Sequence, residues 1–251
     1  MTDVNYDQLA GRYDERYRQG RYDGISTSLD ELRDRLGPRA VLEAGCGTGH
    51  WFDRWEGAVI VGLDRSFGML SRADRTAFRV QADAGRMPFA TRQFDLVYAV
   101  HAVHHFADPA GFVRGAATVL RPGGTLAIFT LDQRALRHRW YLYEYFPGTW
   151  ETDLLRFQPL PEIEAWMREA GLSGVETRLA ERVTFSRRGR DVFNDPFLKK
   201  DSNSQLALLS DQAYRQGLRN IEAACDAAEA ADREIVFAVD LTVCRITGVA
   251  R

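Results

Sequence analysis

Ala40-Val41-Leu42-Glu43-Ala44-Gly45-Cys46-Gly47-Thr48-Gly49-His50, or AVLEAGCGTGH, is the stretch on which the fold turns. It reads as a short apolar strand entering a turn with glycine at every second position. Glycine reaches positive φ at no steric cost and lets the backbone approach a ligand closely. The turn feeds Trp51–Trp55 (WFDRW), whose aromatic spacing predicts a helix. Free N–H groups at such a junction point at whatever the turn cradles. A second apolar strand, Ala58–Asp64, ends on a carboxylate 19 residues after Gly45. In a doubly wound nucleotide fold, that is where an acidic side chain accepts from ribose hydroxyls. The spacing is GxGxG rather than the GxGxxG of dinucleotide sites. His50 and Trp51 follow Gly49, so no glycine or alanine stands at the third dinucleotide position.

Outward from the turn, strands and helices alternate, which predicts a mostly parallel sheet. Ser26–Pro38 reads as a helix with Ser or Thr caps and a Gly-Pro stop. Ser66–Ala73 reads as helix, Ala77–Asp83 and Phe94–Val100 as strands, Pro109–Leu120 as an amphipathic helix and Thr125–Thr130 as a fifth strand. Asp132–Trp150 breaks the pattern, being dense in aromatics and arginine with no clean strand. Pro161–Leu172 resumes a helix, and Gly174–Phe185 and Glu234–Ile246 read as the last two strands. Between them Ser186–Ala231 is polar and helical, an insertion of about 45 residues, long for a plain connection. The layout expected is an N-terminal helical lid segment (1–36), a cofactor-binding half (37–131), an aromatic lid insertion (132–160) and a C-terminal part of the core (161–251) carrying the helical insertion at about 186–231.

Composition narrows the classes. The 251 residues suffice for one sizeable core. A net charge of −2 gives no basic field for nucleic acid, and no apolar run reaches the ~18 residues of a membrane span. The polar, tyrosine-rich start MTDVNYDQLAGRYDERY lacks the apolar centre of a signal peptide. Three cysteines without a CxxC pair argue against a disulfide framework or structural zinc. The expectation is a cytoplasmic, reduced protein acting on a small molecule, with neither nucleic acid nor membrane as partner.

Five stretches in order, VLEAGCGTG, VGLDRSFGML, QADAGRMPFATRQFDLVYA, VHHFADP and VLRPGGTL, are similar to successive motifs of class I S-adenosylmethionine-dependent methyltransferases. The small-molecule branch, similar to ubiquinone/menaquinone-biosynthesis enzymes, resembles them best. The resemblance implies an α/β, doubly wound, Rossmann-like, mostly parallel seven-stranded sheet with an antiparallel last strand, plus a helical lid. It implies S-adenosyl-L-methionine as cofactor, with the backbone at Gly45 and Gly47 against its methionine portion. Glu43 would hold the turn and reach the amino group, and Asp64 would take the ribose hydroxyls. Arg65 and Met69 would flank adenine, Asp83 would accept from the adenine amino group, and the Ala84 N–H would meet the ring edge. The backbone around Val100 and His101 would close the site.

A sulfonium already activates its methyl group, so the protein must supply alignment and exclude water. A general base is required only for a protonated nucleophile. VHAVHHF (Val100–Phe106) holds three of the five histidines. His104 and His105 match the family's HH before x-D-P. His101 lies outside that pattern and is the candidate base or substrate ligand. A metal would need all three to converge, and the only neighbouring carboxylate is Asp108, so no metal is expected. For the acceptor, the candidates are Tyr6, Tyr13 and Tyr17 on one face of an N-terminal helix resembling the YDxxAxxYD segments of the family. His105 joins them, as do Tyr141, Tyr145 and other aromatics of 132–150, including Trp140. The alternatives are a non-catalytic cofactor-binding subunit and a nicotinamide-dependent oxidoreductase.

Overall fold

The computed structural model describes residues 6–9, 22–134 and 138–251. Tyr13, Tyr17 and Arg137 fall outside the described residues. The central sheet runs β1 (Ala40–Ala44), β2 (Val59–Asp64), β3 (Phe78–Gln81), β4 (Phe94–Val100), β5 (Leu120–Thr130), the two-residue β6 (Arg139–Trp140), β7 (Ser173–Arg188) and β8 (Val236–Val249). Its order is β3-β2-β1-β4-β5-β8, with β7 and β6 both paired to β8. Strands β1 to β5 are parallel, and β8 is antiparallel to β5, β6 and β7. The seven expected strands are present, and the short β6 is an eighth.

The reversal of strand order between β1 and β4 opens a crevice at their C-terminal ends, where open α/β sheets bind ligands. The parallel strands read as apolar runs because both faces are covered. On one face Val41, Leu96, Tyr98 and Phe129 pack against Trp51, Trp55 and the helix Asp23–Leu36. On the other, Leu42, Val97 and Leu126 meet the helices Pro109–Val119 and Leu160–Glu169.

Some boundaries differ from the sequence reading. The helix expected from Ser26 begins at Asp23, and its first turn is capped from β7, where Glu181 Oε2 accepts from Gly24 N–H at 2.5 Å and Ile25 N–H at 3.3 Å; its end at left-handed Gly37 (φ 51°) is as expected. Where a helix is expected over Trp51–Trp55, Phe52–Trp55 forms a short 3-10 turn. Only one turn forms within Ser66–Ala73, at Phe67–Leu70, with the Ser66 hydroxyl capping Met69 N–H. Strand β7 continues to Arg188, so Ser186–Arg188 is extended rather than helical. The long helix Asp211–Ala230 and shorter turns follow it.

Strand β8 meets β5 only through Cys244–Val249, yet pairs with β7 back to Val236. The outer halves of β7 and β8 therefore form a ribbon overhanging the C-terminal end of the sheet. A separate core joins this ribbon to the helices Tyr141–Tyr145 and Asp211–Ala230 through Tyr141, Leu142, Phe146, Ile221 and Phe237.

Candidate active site

The glycine turn is held open from both sides. Gly45 has φ 69° and Gly47 φ 54°. A Cβ on Gly45 would lie 2.5 Å from the Ala102 Cβ, so only glycine fits beneath the end of β4. Gly45 N–H donates to Leu63 O at 2.7 Å. Asp64, next along β2, accepts from Gly47 N–H through Oδ2 and from Ser66 N–H through Oδ1, each at 2.8 Å. One carboxylate thus ties the glycine turn to the following loop. The Arg65 N–H bonds to the same carboxylate as well. Burial raises its pKa against the pull of those N–H donors.

Around this turn lies a cavity of about 330 Å³, of nucleoside size. Its walls include Gly45, Gly47, Asp64, Arg65, Met69, Asp83 and Ala84. Asp83 accepts from Gly85 N–H through Oδ1 at 2.7 Å. Leu63, Ala82, Ala102 and Phe106 add apolar wall. A carboxylate at the end of β2, a left-handed glycine cradle and apolar walls fit an adenosyl group together with its methionine chain.

Glu43 and Val100 line neither cavity. Glu43 is buried behind the turn, where its Oε2 accepts from the Tyr98 hydroxyl at 2.7 Å, and the Tyr98 hydroxyl oxygen in turn accepts from Trp55 Nε1 at 2.9 Å. Burial pushes the Glu43 carboxyl up to about 8. Cys46 is buried beside it and its thiol is pushed up, so it is no nucleophile.

A second cavity of about 120 Å³ opens under the β7–β8 ribbon. Val183 and Phe185 of β7 stand opposite Leu241 and Val239 of β8 and point into it, with Trp140 and Phe157 beside them. The stretch Asp201–Gln205 forms its polar end. Behind that end Asp153, fully buried, accepts from the Tyr143 hydroxyl and from Gln205 Nε2, each at 2.8 Å. Arg156 Nη2 donates to Asp153 at 2.5 Å and to Ser204 Oγ at 3.2 Å.

Tyr6, His101 and His105 belong to the walls of both cavities. His101 carries φ 49°, a conformation costing a non-glycine residue about 1–2 kcal/mol. Its N–H donates to Phe129 O at 2.9 Å. That kink ends β4 and sets Ala102 under Gly45. The Tyr6 hydroxyl lies 2.7 Å from His105 Nε2. Beside it, Asp7 Oδ1 accepts from Ser66 Oγ at 2.5 Å and Gly68 N–H at 2.7 Å, fastening this segment over the first cavity. His104 stacks on Phe157 at 4.0 Å. Asp108 caps the helix Pro109–Val119 by accepting from Gly111 N–H, which accounts for the D-P after the histidines.

The chain matches the family model described as "Methyltransferase domain" over residues 42–128. It is 30% identical over 211 residues to 27-O-demethylrifamycin SV methyltransferase of Amycolatopsis mediterranei, covering 71% of this chain and 72% of that one. The chain belongs to the class I S-adenosylmethionine-dependent methyltransferases. The methyl donor of this methyltransferase is S-adenosyl-L-methionine, and the nicotinamide alternative falls with that identification. A 40% identity over 119 residues links it to malonyl-[acyl-carrier protein] O-methyltransferase of Enterobacter lignolyticus, across 43% of this chain and 47% of that one. A solved structure described as a methyltransferase from an antibiotic biosynthesis pathway of Anabaena variabilis shares the fold, with TM-score 0.67 at 19% identity, over 89% of this chain and 96% of that one. Among the described residues no helix is long and apolar enough to cross a membrane.

Two expected acceptor residues of the methyltransferase lie elsewhere. Tyr141 is buried, donates to Asp195 Oδ2 at 2.9 Å and packs on Phe237. Tyr145 packs on the same Phe237 ring at 5.2 Å. Both hold the ribbon core together and line neither cavity. The sequence reading gave Asp7 of the tyrosine segment no role of its own, and it missed Tyr22, Phe157, the polar end at 201–205 and the inner ribbon face. Only the last left a signal, the alternation Val183-Thr184-Phe185 against Val239-Asp240-Leu241-Thr242-Val243.

Proposed function

We propose that this methyltransferase methylates a hydroxyl oxygen on a small, mostly apolar acceptor seated in the second cavity. The observation that carries the reading is the position of His101 in the wall of both cavities. The bound cofactor supplies a methyl group already activated on sulfur. Asp64 would hold its ribose, the Gly45–Gly47 backbone would face its methionine chain, Met69 and Ala84 would flank its base, and Asp83 and Arg65 would stand at the rim. Val183, Phe185, Val239 and Leu241 hold the acceptor and keep water from the junction. His101 takes the hydroxyl proton as the new O–C bond forms, and the S–C electron pair returns to sulfur. A weakly acidic hydroxyl needs such a base, and imidazole is suited to it near neutral pH. His105, fixed by Tyr6, positions the acceptor at the same junction. The two relatives described act on oxygen by name, which supports this choice of atom. The three cysteines are buried and free, which supports a reducing, cytoplasmic setting.

The test is methyl transfer from tritiated cofactor to catechol, 1-naphthol and 4′-hydroxyacetophenone, with His101→Ala alongside. Turnover at oxygen, falling at least ~100-fold in the variant while S-adenosylhomocysteine affinity is kept, is expected. Unchanged turnover in the variant, or a methyl group found on carbon, contradicts the reading.

A further inference from the structure

A tyrosine stands between His101 and a buried tryptophan. Tyr22 lines the second cavity and meets the His101 imidazole at 6.4 Å between ring centres, inclined at 65°. It meets Trp51 edge-on at 6.3 Å, and Trp51 is buried against the sheet. The His101 main chain is fixed by its bond to Phe129 O. The angle of its ring is a separate matter, decided by what packs against it.

Tyr22 is itself held from the acceptor side. It immediately precedes the helix Asp23–Leu36, and its carbonyl accepts from Ser26 N–H at 2.9 Å. The next two residues but one, Gly24 and Ile25, donate their N–H groups to Glu181 Oε2. A Cβ on Gly24 would lie 2.2 Å from Ala180 O, so helix start and strand touch backbone to backbone. Ala180 is the extra residue of a β-bulge, since Leu179 pairs with Cys244 and Glu181 with Val243. Such bulges redirect a strand and recur beside functional sites. Beyond it alternate residues share one face. Those residues are Glu181, which holds the helix, and Val183 and Phe185, which line the cavity.

We propose that Glu181 is a positioning residue: by holding the first turn of that helix it fixes Tyr22 against His101, and so sets the angle of the imidazole toward the acceptor. This rests on the reading that His101 is the base and that the second cavity holds the acceptor. The strand that grips the acceptor then also aims the base. Two N–H bonds to a carboxylate at the positive end of a helix are charge-assisted and strong for their size. Losing them releases the first turn and leaves the helix in place, because Ile25, Leu29 and Leu32 stay buried. Neither Glu181 nor Tyr22 lines the first cavity, so the cofactor is not the ligand they serve.

The carbon-bound imidazole protons of His101, assigned by their loss in His101→Ala, report its surroundings without any turnover. With S-adenosylhomocysteine bound, they should shift in Tyr22→Leu and in Glu181→Ala. The double variant should move them no further than Tyr22→Leu alone, because Glu181 acts through Tyr22. Glu181→Gln, which keeps an acceptor oxygen, should leave them near their wild-type positions. Glu181→Asp, which keeps the charge and falls one methylene short of Gly24, should shift them and stands in if Glu181→Ala does not fold. In methyl transfer to the three phenols, Glu181→Ala should lower kcat about tenfold, with the KM for the cofactor unchanged and the loss restored in Glu181→Gln. Unmoved resonances, shifts that add in the double variant, an unchanged kcat, or a loss that Glu181→Gln does not restore would each overturn the positioning role. If the wild-type protein methylates none of the phenols, the resonances still decide that role, and it is the proposed hydroxyl methylation that fails.

Discussion

The Tyr6 hydroxyl sits 2.7 Å from His105 Nε2, and both residues stand in the wall between a nucleoside-sized cavity and an apolar one. The N-terminal segment thus reaches the junction where a methyl group must cross. Asp7 fixes the segment further by accepting from Ser66 Oγ and Gly68 N–H.

Removing that fastening should loosen the cofactor, since Asp7 both ties the segment down and stands in the cavity wall. Asp7→Ala is expected to speed S-adenosylhomocysteine dissociation by about 3–10-fold, measured by stopped-flow fluorescence. An unchanged rate would show that the segment does not retain the cofactor.

His101 combines a side chain suited to chemistry with a backbone suited to glycine. His101→Gly should therefore fold more stably than His101→Ala, by about 1 kcal/mol in urea unfolding. Equal stabilities would mean that the left-handed kink at the end of β4 is relaxed in solution.

Gly45 tolerates no side chain, since a Cβ would lie 2.5 Å from that of Ala102 at a φ of 69°. Gly45→Ala should cost roughly 2–4 kcal/mol of stability and abolish detectable cofactor binding by calorimetry. Wild-type affinity in that variant would show the cradle to be adaptable.

Glu43 makes stability depend on pH in a defined direction. Its carboxyl titrates near 8 when folded and at about 4.3 in an unfolded chain. Between those values the folded state binds more protons, so its stability is fully present below the lower value and is lost as pH rises toward 8. Glu43→Gln cannot ionise. Its stability relative to the wild type, followed through the melting temperature, should rise from pH 5 to pH 8, by no more than about 1.4 kcal/mol per pH unit. Parallel melting curves across that range would contradict the buried, protonated carboxyl.

Local chemistry made the cofactor side legible. Glycines at alternate positions and an acid at the end of β2 act through backbone geometry over short spans, and Asp64 does bond to the Gly47 N–H. Glu43 lies in the same motif, yet sequence spacing cannot show that it points into the core. The acceptor side is built from residues far apart in the chain. Phe157, Trp140 and the 201–205 stretch meet only because the β7–β8 ribbon overhangs the sheet. Aromatic density in 132–150 marked the region but did not separate Trp140, which lines the cavity, from Tyr141 and Tyr145, which pack on Phe237. Position along a short helix decided that, and five residues carry too little periodicity to read it.

A structure of the protein with S-adenosylhomocysteine bound tests the account most directly. It should place both ribose hydroxyls within hydrogen-bond distance of Asp64 and turn the sulfur past Gly45 toward His101 and the second cavity. A ribose held elsewhere, or a sulfur facing away from that junction, would contradict it.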